Sequence, residues 1–332
     1  MSPRSLLGML DLAPDEVTGL LDDAARLRAA RPALVAGGPP DTTLRGRTVA
    51  LIFEKPSTRT RVSFEIAVAE LGGTPLPLTA AELQLGRGET VEDTGRVLGR
   101  YVQALVVRTF GQGRLRTLAE ASGLPVVNAL TDAEHPCQAL ADLLTVRDEF
   151  GGFADRTLTY VGDGNNVAHS LLLGAAAVGL GVRVAHPDGY APDDAVVAAA
   201  RDLARRHGSE VTVTDDPLTA ARGADALYTD VWTSMGQEEE SARRLRDFAG
   251  YQLDARLLAA AADDAIVLHC LPAHRGEEIS AEVLDGPASR VLDQAENRLH
   301  VQKAVLPPLG VAPPPTPPAL APVPPARRPA PR

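Results

Sequence analysis

Five consecutive residues, Ser57-Thr58-Arg59-Thr60-Arg61, place two guanidinium groups and three hydroxyls on one short stretch. They follow a β-rich apolar run, TVALIF over 48–53. They also open a segment over 60–71 that carries Val62, Ile66 and Ala69 at helical spacing before Gly72-Gly73. The start of a helix exposes unsatisfied N–H groups at the positive end of its dipole. Arginines and hydroxyls added there make a seat for a compact, highly charged oxyanion such as phosphate. The plain alternative is a capped helix with solvated arginines.

Further polar clusters fall where predicted strands end. Arg108 closes ALVVRT (104–109) and would point into the same crevice as Arg59. His135-Pro136-Cys137-Gln138 opens a helix, with Pro136 in its first turn. The histidine is either a cap or, beside arginines, a neutral donor to a carbonyl oxygen that gains charge during reaction. Gly162-Asp163-Gly164-Asn165-Asn166 follows TLTYV and approaches a dinucleotide fingerprint, but Val167 stands where a third glycine belongs. Its asparagines suit a ligand with both donors and acceptors, such as the backbone of an amino acid.

The run Asp230 to Gly236, DVWTSMG, offers an acid for an ammonium group and backbone donors for a carboxylate; alternatively it is an ordinary capped turn. His269-Cys270-Leu271-Pro272-Ala273 pairs a histidine with a thiol. Cys137 and Cys270 are the chain's two cysteines, and no CxxC or HxxxH spacing accompanies them, so no metal site is expected. Arg298, read as early in the last helix, adds a third guanidinium.

The elements that must position these groups alternate in type. Strands are predicted over 48–53, 104–109 and 125–129, with helices over 15–30, 60–71, 90–101, 114–121 and 136–150. After Gly151-Gly152 a second series begins, with strands over 157–161, 182–185, 211–214, 226–229 and 265–269. Its helices fall over 166–178, 192–207 and 295–305. With 332 residues, about two domains of ~150 residues are expected. The fold class is therefore α/β: two doubly wound parallel-sheet domains linked by helices, divided at 150/151, with ligands bound beyond the carboxyl ends of the strands. From Pro307 to Arg332, 12 of 26 residues are proline, which predicts an extended, disordered tail. It is either a PxxP ligand or a neutral extension.

Composition narrows the function. A net charge of −10 argues against a nucleic-acid surface. Of 33 basic residues only Lys55 and Lys303 are lysines, so an anion site must rely on arginine. Two distant cysteines fit a reducing compartment. The N-terminal apolar stretch is broken by Asp11, and the longest uncharged run before the tail, 164–182, is too short and polar to span a bilayer. A cytoplasmic protein with no membrane partner is expected.

The segments FEKPSTRTRVSFE, EHPCQALADLLT, VGDGNN, DVWTSMG, LHCLPAHRGEEIS and DQAENRLH resemble the aspartate/ornithine carbamoyltransferase family, in the same order and at comparable spacing from Ser5 to Leu306. STRTR and HPCQ mark the whole family, whereas DVWTSMG with HCLPA marks its ornithine branch. An aspartate enzyme would be expected to have a lysine near Gln84 and HPLP in place of HCLP. The resemblance implies a carbamoyl-phosphate domain over 1–150 and an ornithine domain over 151–306, with the last helix returning to the first domain.

It further implies that the phosphate lies on Ser57, Thr58, Arg59 and Thr60, with Arg108 bridging toward the carbonyl. His135, Gln138, Cys270, Leu271 and Arg298 would surround the carbamoyl group. Asn166, Asp230, Ser234 and Met235 would hold L-ornithine, and Arg108, His135, Cys270 and Asp230 would carry the chemistry. That chemistry gives L-citrulline and phosphate, in arginine biosynthesis. A homotrimer with interfacial active sites is implied, Gln84 reaching the neighbour's phosphate with Arg87 beside it, and no cofactor. Three alternatives stay open: a different amine acceptor (N-acylornithine or putrescine), a silent binding homologue, and a nucleotide enzyme built on GDGNN.

Overall fold

The computed structural model describes residues 4–84, 88–233 and 240–310. The first sheet contains β1 (Thr48–Phe53), β2 (Thr74–Thr79), β3 (Ala104–Arg108) and β4 (Val126–Leu130), all parallel in the order β2-β1-β3-β4. Around it lie α1 (Pro14–Val35), α2 (Thr58–Glu70), α3 (Val91–Leu98), α4 (Gln112–Ser122) and α5 (Pro136–Phe150). Val49 to Phe53 and all of β3 are buried, the uninterrupted apolar pattern of central strands covered on both faces.

The second sheet contains β5 (Thr157–Val161), β6 (Gly181–Ala185), β7 (Val211–Thr214), β8 (Ala226–Thr229) and β9 (Ile266–His269), parallel in the order β7-β6-β5-β8-β9. Its helices are α6 (Asn166–Ala177), α7 (Asp194–His207), α8 (Pro217–Ala221), α9 (Ser241–Asp247), α10 (Ala255–Ala260) and α11 (Ala281–Leu284), and α12 (Val291–Val305) follows them. Among the described residues no helix is long and apolar enough to cross a membrane.

Strand order reverses between β1 and β3 in one sheet and between β5 and β8 in the other. These switch points open crevices at the carboxyl ends of the strands. The two sheets share one continuous core: Leu140, Leu143 and Leu144 of α5 and Leu171 and Leu172 of α6 are fully buried in it. The last helix, α12, packs on α1, α2 and α5.

Four features differ from the sequence expectation. β2 reads TPLPLT and lies outside the predicted strands, and its prolines are the kind of residue that argues against one. As an edge strand it donates from Thr74 N–H to the Arg47 carbonyl, and Ala80 N–H just beyond it donates to the Phe53 carbonyl. Pro75 and Pro77 alternate with the residues that face β1. α2 starts at Thr58 and buries Phe64, Ala67 and Val68; Val62 is 44% exposed and Ala69 is exposed, so the expected stripe is not the buried one. α12 begins one turn earlier than expected, which puts Arg298 at its middle. The expected tail opens with a 3-10 turn, Pro307–Leu309, against α12; residues 311–332 lie outside the described residues.

Candidate active site

The seat for an anion forms as the local sequence dictates. Ser57 is the N-cap of α2, and its Oγ accepts from the Thr60 N–H at 3.4 Å. Thr58, Arg59 and Thr60 occupy the first turn, where N–H groups have no intrahelical acceptor. Glu54, just upstream, is committed to the Arg114 guanidinium at 2.7 Å and to the Thr109 hydroxyl, which ties the end of β1 to the neighbouring strand end. Phe53 and Arg108 are register partners. The register of β3 and β4 then slips between Val107 and Arg108, and this bulge sits beside the site.

One cavity of about 540 Å³ collects the polar clusters from both sheets. Its lining includes Ser57, Thr58, Arg59, Thr60, Arg108, His135, Gln138 and Arg298 on one side. On the other are Asn166, Asp230, Cys270 and Leu271. Arg298 Nη2 donates to Thr60 Oγ1 at 2.7 Å, joining α12 to the first turn of α2. Arg108 and Arg298 are nearly buried, while Arg59 is exposed at the mouth. Burial first, then the Arg298 guanidinium, pushes Arg108 down to about 10, so it stays a cation at neutral pH. Burial lowers Arg298 too, with Arg59 adding to the effect. Guanidiniums crowded in a low-dielectric cavity favour an anion between them.

His135 is the N-cap residue of α5, yet its side chain makes no cap bond. Burial first, then Arg298 and Arg108, holds its pKa well below the usual histidine value. The ring is therefore neutral, as the sequence predicted, and it lines the cavity.

The opposite wall carries acids and a thiol. Cys270 Sγ donates to Asp230 Oδ1 at 2.9 Å, and Asn165 Nδ2 donates to Asp230 Oδ2 at 3.0 Å. Burial, then the Asp230 carboxylate, pushes the Cys270 thiol well above its ordinary value. It is a protonated donor at neutral pH, unlike a nucleophilic thiolate. Asn166 Nδ2 donates to the Thr131 carbonyl at 2.6 Å, which fixes the amide where it lines the cavity. Leu271 turns the chain at the end of β9 with φ of 58°, an uncommon angle for a branched side chain.

Asp230, His269 and Cys270 bring ligand atoms within 4.8 Å of one another. Both ring nitrogens of His269 are nevertheless engaged: Nε2 donates to Glu278 Oε1 at 3.1 Å, and Nδ1 accepts from the Leu271 N–H at 2.9 Å. His269 thus braces the β9 turn.

Gln84 is exposed and does not line the cavity of its own chain. Ser234, Met235 and Arg87 lie outside the described residues. Several lining residues had no assigned role. Lys55 donates to Asp132 at 2.5 Å and lies over the Phe110 ring, 4.4 Å from its centroid, at the rim. Asp163 pairs with the buried Arg244 at 2.6 Å. Lys55 carried one signal, being one of the chain's two lysines and lying beside the STRTR run; Arg244 carried none, lying 81 residues from its partner.

Two family models match almost the whole described chain. "Aspartate/ornithine carbamoyltransferase, carbamoyl-P binding domain" covers residues 4–148, and "Aspartate/ornithine carbamoyltransferase, Asp/Orn binding domain" covers 154–309. The chain belongs to the aspartate/ornithine carbamoyltransferase family. Relatives within this carbamoyltransferase family are close. An ornithine carbamoyltransferase of Acidothermus cellulolyticus is 62% identical over 307 residues, 91% of this chain and 95% of the relative. The solved ornithine carbamoyltransferase of Pyrococcus furiosus superposes with a TM-score of 0.87 at 47% identity, covering 92% of this chain and 96% of that one. The anabolic ornithine carbamoyltransferase of Campylobacter jejuni gives 0.85 at 37% identity, covering 91% and 97%. The two parallel sheets expected from the alternation of elements are the architecture of this family.

Proposed function

We propose that this chain transfers the carbamoyl group of carbamoyl phosphate to the δ-amine of L-ornithine, giving L-citrulline and phosphate. The observation that carries this reading is the pairing of Cys270 with Asp230 at 2.9 Å across one cavity from Arg59, Arg108 and Arg298. A phosphate fits the first turn of α2 and the arginines. Arg108, Thr60 and neutral His135 are disposed to stabilise the oxyanion that forms when the amine attacks the carbonyl carbon. The ornithine δ-ammonium must first lose a proton. Solvent takes that proton, and Asp230 and Cys270 orient the neutral amine, whose lone pair forms the N–C bond as the carbonyl π pair moves onto oxygen. The oxyanion then re-forms C=O as the C–O bond breaks, and phosphate leaves with the electron pair and with the proton shed by the newly bonded nitrogen. Phosphate is a competent leaving group without thiolate help, which agrees with a Cys270 that stays protonated.

Asn166 and the DVWTSMG run, Ser234 and Met235 included, are assigned to the α-amino and carboxylate groups of ornithine, and the carbonyls of Gln138 and Leu271 to the carbamoyl amide. The active assembly is a homotrimer in which Gln84 reaches the neighbour's phosphate. A groove of about 450 Å³ supports this assembly: it lies beside Ser57 and Thr58 and is lined by Arg61, Val62, Ala80 and Ala81. Val62 exposes apolar surface into it. Val62→Asp should convert the trimer to monomers in sedimentation and lower activity with it. The division at 150/151, a cytoplasmic location and a role in arginine biosynthesis complete the proposal.

The test is product formation from carbamoyl phosphate with L-ornithine, beside N-acetyl-L-ornithine, putrescine and L-aspartate. Turnover with ornithine alone supports the reading. Turnover with another amine keeps the carbamoyl site and discards the ornithine assignment, and no turnover with any of them points to a silent homologue.

A further inference from the structure

Behind the cavity wall lies a carboxylate that the reaction itself does not use. Asp142, one helical turn after Gln138 on α5, is completely buried. Its Oδ1 accepts from Gln138 Nε2 at 2.8 Å and from Gln294 Nε2 of α12 at 2.6 Å. Gln294 Oε1 in turn accepts the His269 N–H at 2.9 Å, at the residue before Cys270. One oxygen thus holds two amides in fixed orientation, one beside the carbamoyl seat and one bracing the end of β9.

The consequence falls on Gln138. An amide side chain can present either its oxygen or its NH₂ to a given neighbour, and the hydrogen-bond network decides which. Because Asp142 Oδ1 takes the NH₂ group, Gln138 Oε1 is turned the other way. That oxygen is buried and has no hydrogen-bond partner among the described residues, on a side chain that is 1% exposed and lines the cavity. A buried acceptor without a partner costs free energy unless a donor arrives. The carbamoyl group brings an NH₂ donor to that place; an acyl group ending in methyl brings none.

We propose that Asp142 is a positioning residue that fixes the Gln138 amide with its oxygen toward the cavity, and so makes the site select carbamoyl phosphate over acyl phosphates that lack the NH₂ group. The inference rests on the carbamoyl-phosphate reading above and deepens it. Burial pushes Asp142 up to about 7 although Gln138, Gln294 and Tyr228 pull it the other way, yet Oδ1 accepts both amides whether the group is ionised or protonated on Oδ2. Selection by amide orientation therefore does not require a charged Asp142.

The experiment compares dissociation constants of carbamoyl phosphate, acetyl phosphate and inorganic phosphate by calorimetric titration of the full chain. Wild type should prefer carbamoyl phosphate over acetyl phosphate. Asp142→Ala should cut that preference by about tenfold, the scale of one hydrogen bond to a buried acceptor, while inorganic phosphate binds within about twofold of wild type. Asp142→Asn should retain the preference, since its amide oxygen can replace Oδ1. In a Gln138→Ala background, which loses the preference by itself, Asp142→Ala should add nothing further. If the alanine variant does not fold, Asp142→Ser, too short to reach both amides, carries the same comparison. A preference that survives in Asp142→Ala overturns the inference alone, as does an equal weakening of all three anions. A wild type with no preference overturns the functional reading as well.

Discussion

Across the cavity, two walls hold charge in different ways. On the wall carried by the first sheet and α12, Arg108 and Arg298 are buried side by side, and Arg298 is pinned to Thr60 at 2.7 Å. On the wall carried by the second sheet, the Asp230 carboxylate is already shared between a thiol and an amide, at 2.9 and 3.0 Å. The first wall gathers like charges, an arrangement that favours an anion. The second satisfies its charge internally and must rearrange hydrogen bonds to receive an ammonium group. Binding of the anion first, followed by the amine, is the order this difference favours.

The comparison can be broken at either wall. Arg108→Ala should have the largest effect, a fall in kcat of about 10³, because it removes a preorganised cation from the place where the oxyanion develops. Steady-state rates with both substrates saturating would show it, and a loss confined to KM would move Arg108 out of the transition state. Next in size, inorganic phosphate at about 100 times its Kd should stabilise the fold by about 2.7 kcal/mol in thermal or denaturant unfolding. Ornithine alone should do much less; equal stabilisation by both would erase the distinction between the walls.

Cys270→Ser should raise the KM for ornithine by about tenfold, or ~1.4 kcal/mol, with carbamoyl phosphate affinity nearly unchanged. An equal loss of both substrates would assign the thiol to the first wall. The smallest effect concerns pH. His135 is held neutral, its pKa well below the ordinary 6.5. Above that value neither the folded nor the unfolded state protonates it, and its contribution is constant. As pH falls below about 6.5 the unfolded chain takes up a proton that the folded chain refuses, so stability is lost. His135→Gln should flatten the decline of unfolding free energy with acid below about pH 6.5; an unchanged slope would mean that the ring is not shielded.

Much of this was legible in the sequence. The strands of both sheets other than β2 follow from short runs rich in apolar and β-branched residues, and Arg59, Arg108, His135 and Cys270 stand at or a few residues beyond the ends of such runs. The contacts that make a site of them were not. Thr60 and Arg298 are 238 residues apart, and Asp142 and Gln294 are 152 apart, so no local pattern could pair them. The four helices α8 to α11, of four to seven residues, are too short for a helical period to register. The stripe assigned to α2 failed for another reason. Val62, Ile66 and Ala69 share a spacing with Phe64, Ala67, Val68 and Leu71, and only the packing partners decide which set faces inward.

β2 has one more consequence. The outer rim of a sheet ordinarily offers a row of amide donors on which a stray strand can grow. Of the three outward positions, Pro75 and Pro77 possess no N–H at all, and the Thr79 N–H is taken by Glu82 Oε2 at 2.7 Å. The outward carbonyls can still accept, but without free donors beside them that rim cannot build a full ladder with a strand from another chain. At this edge, protection against fibrillar growth is written into the backbone chemistry itself.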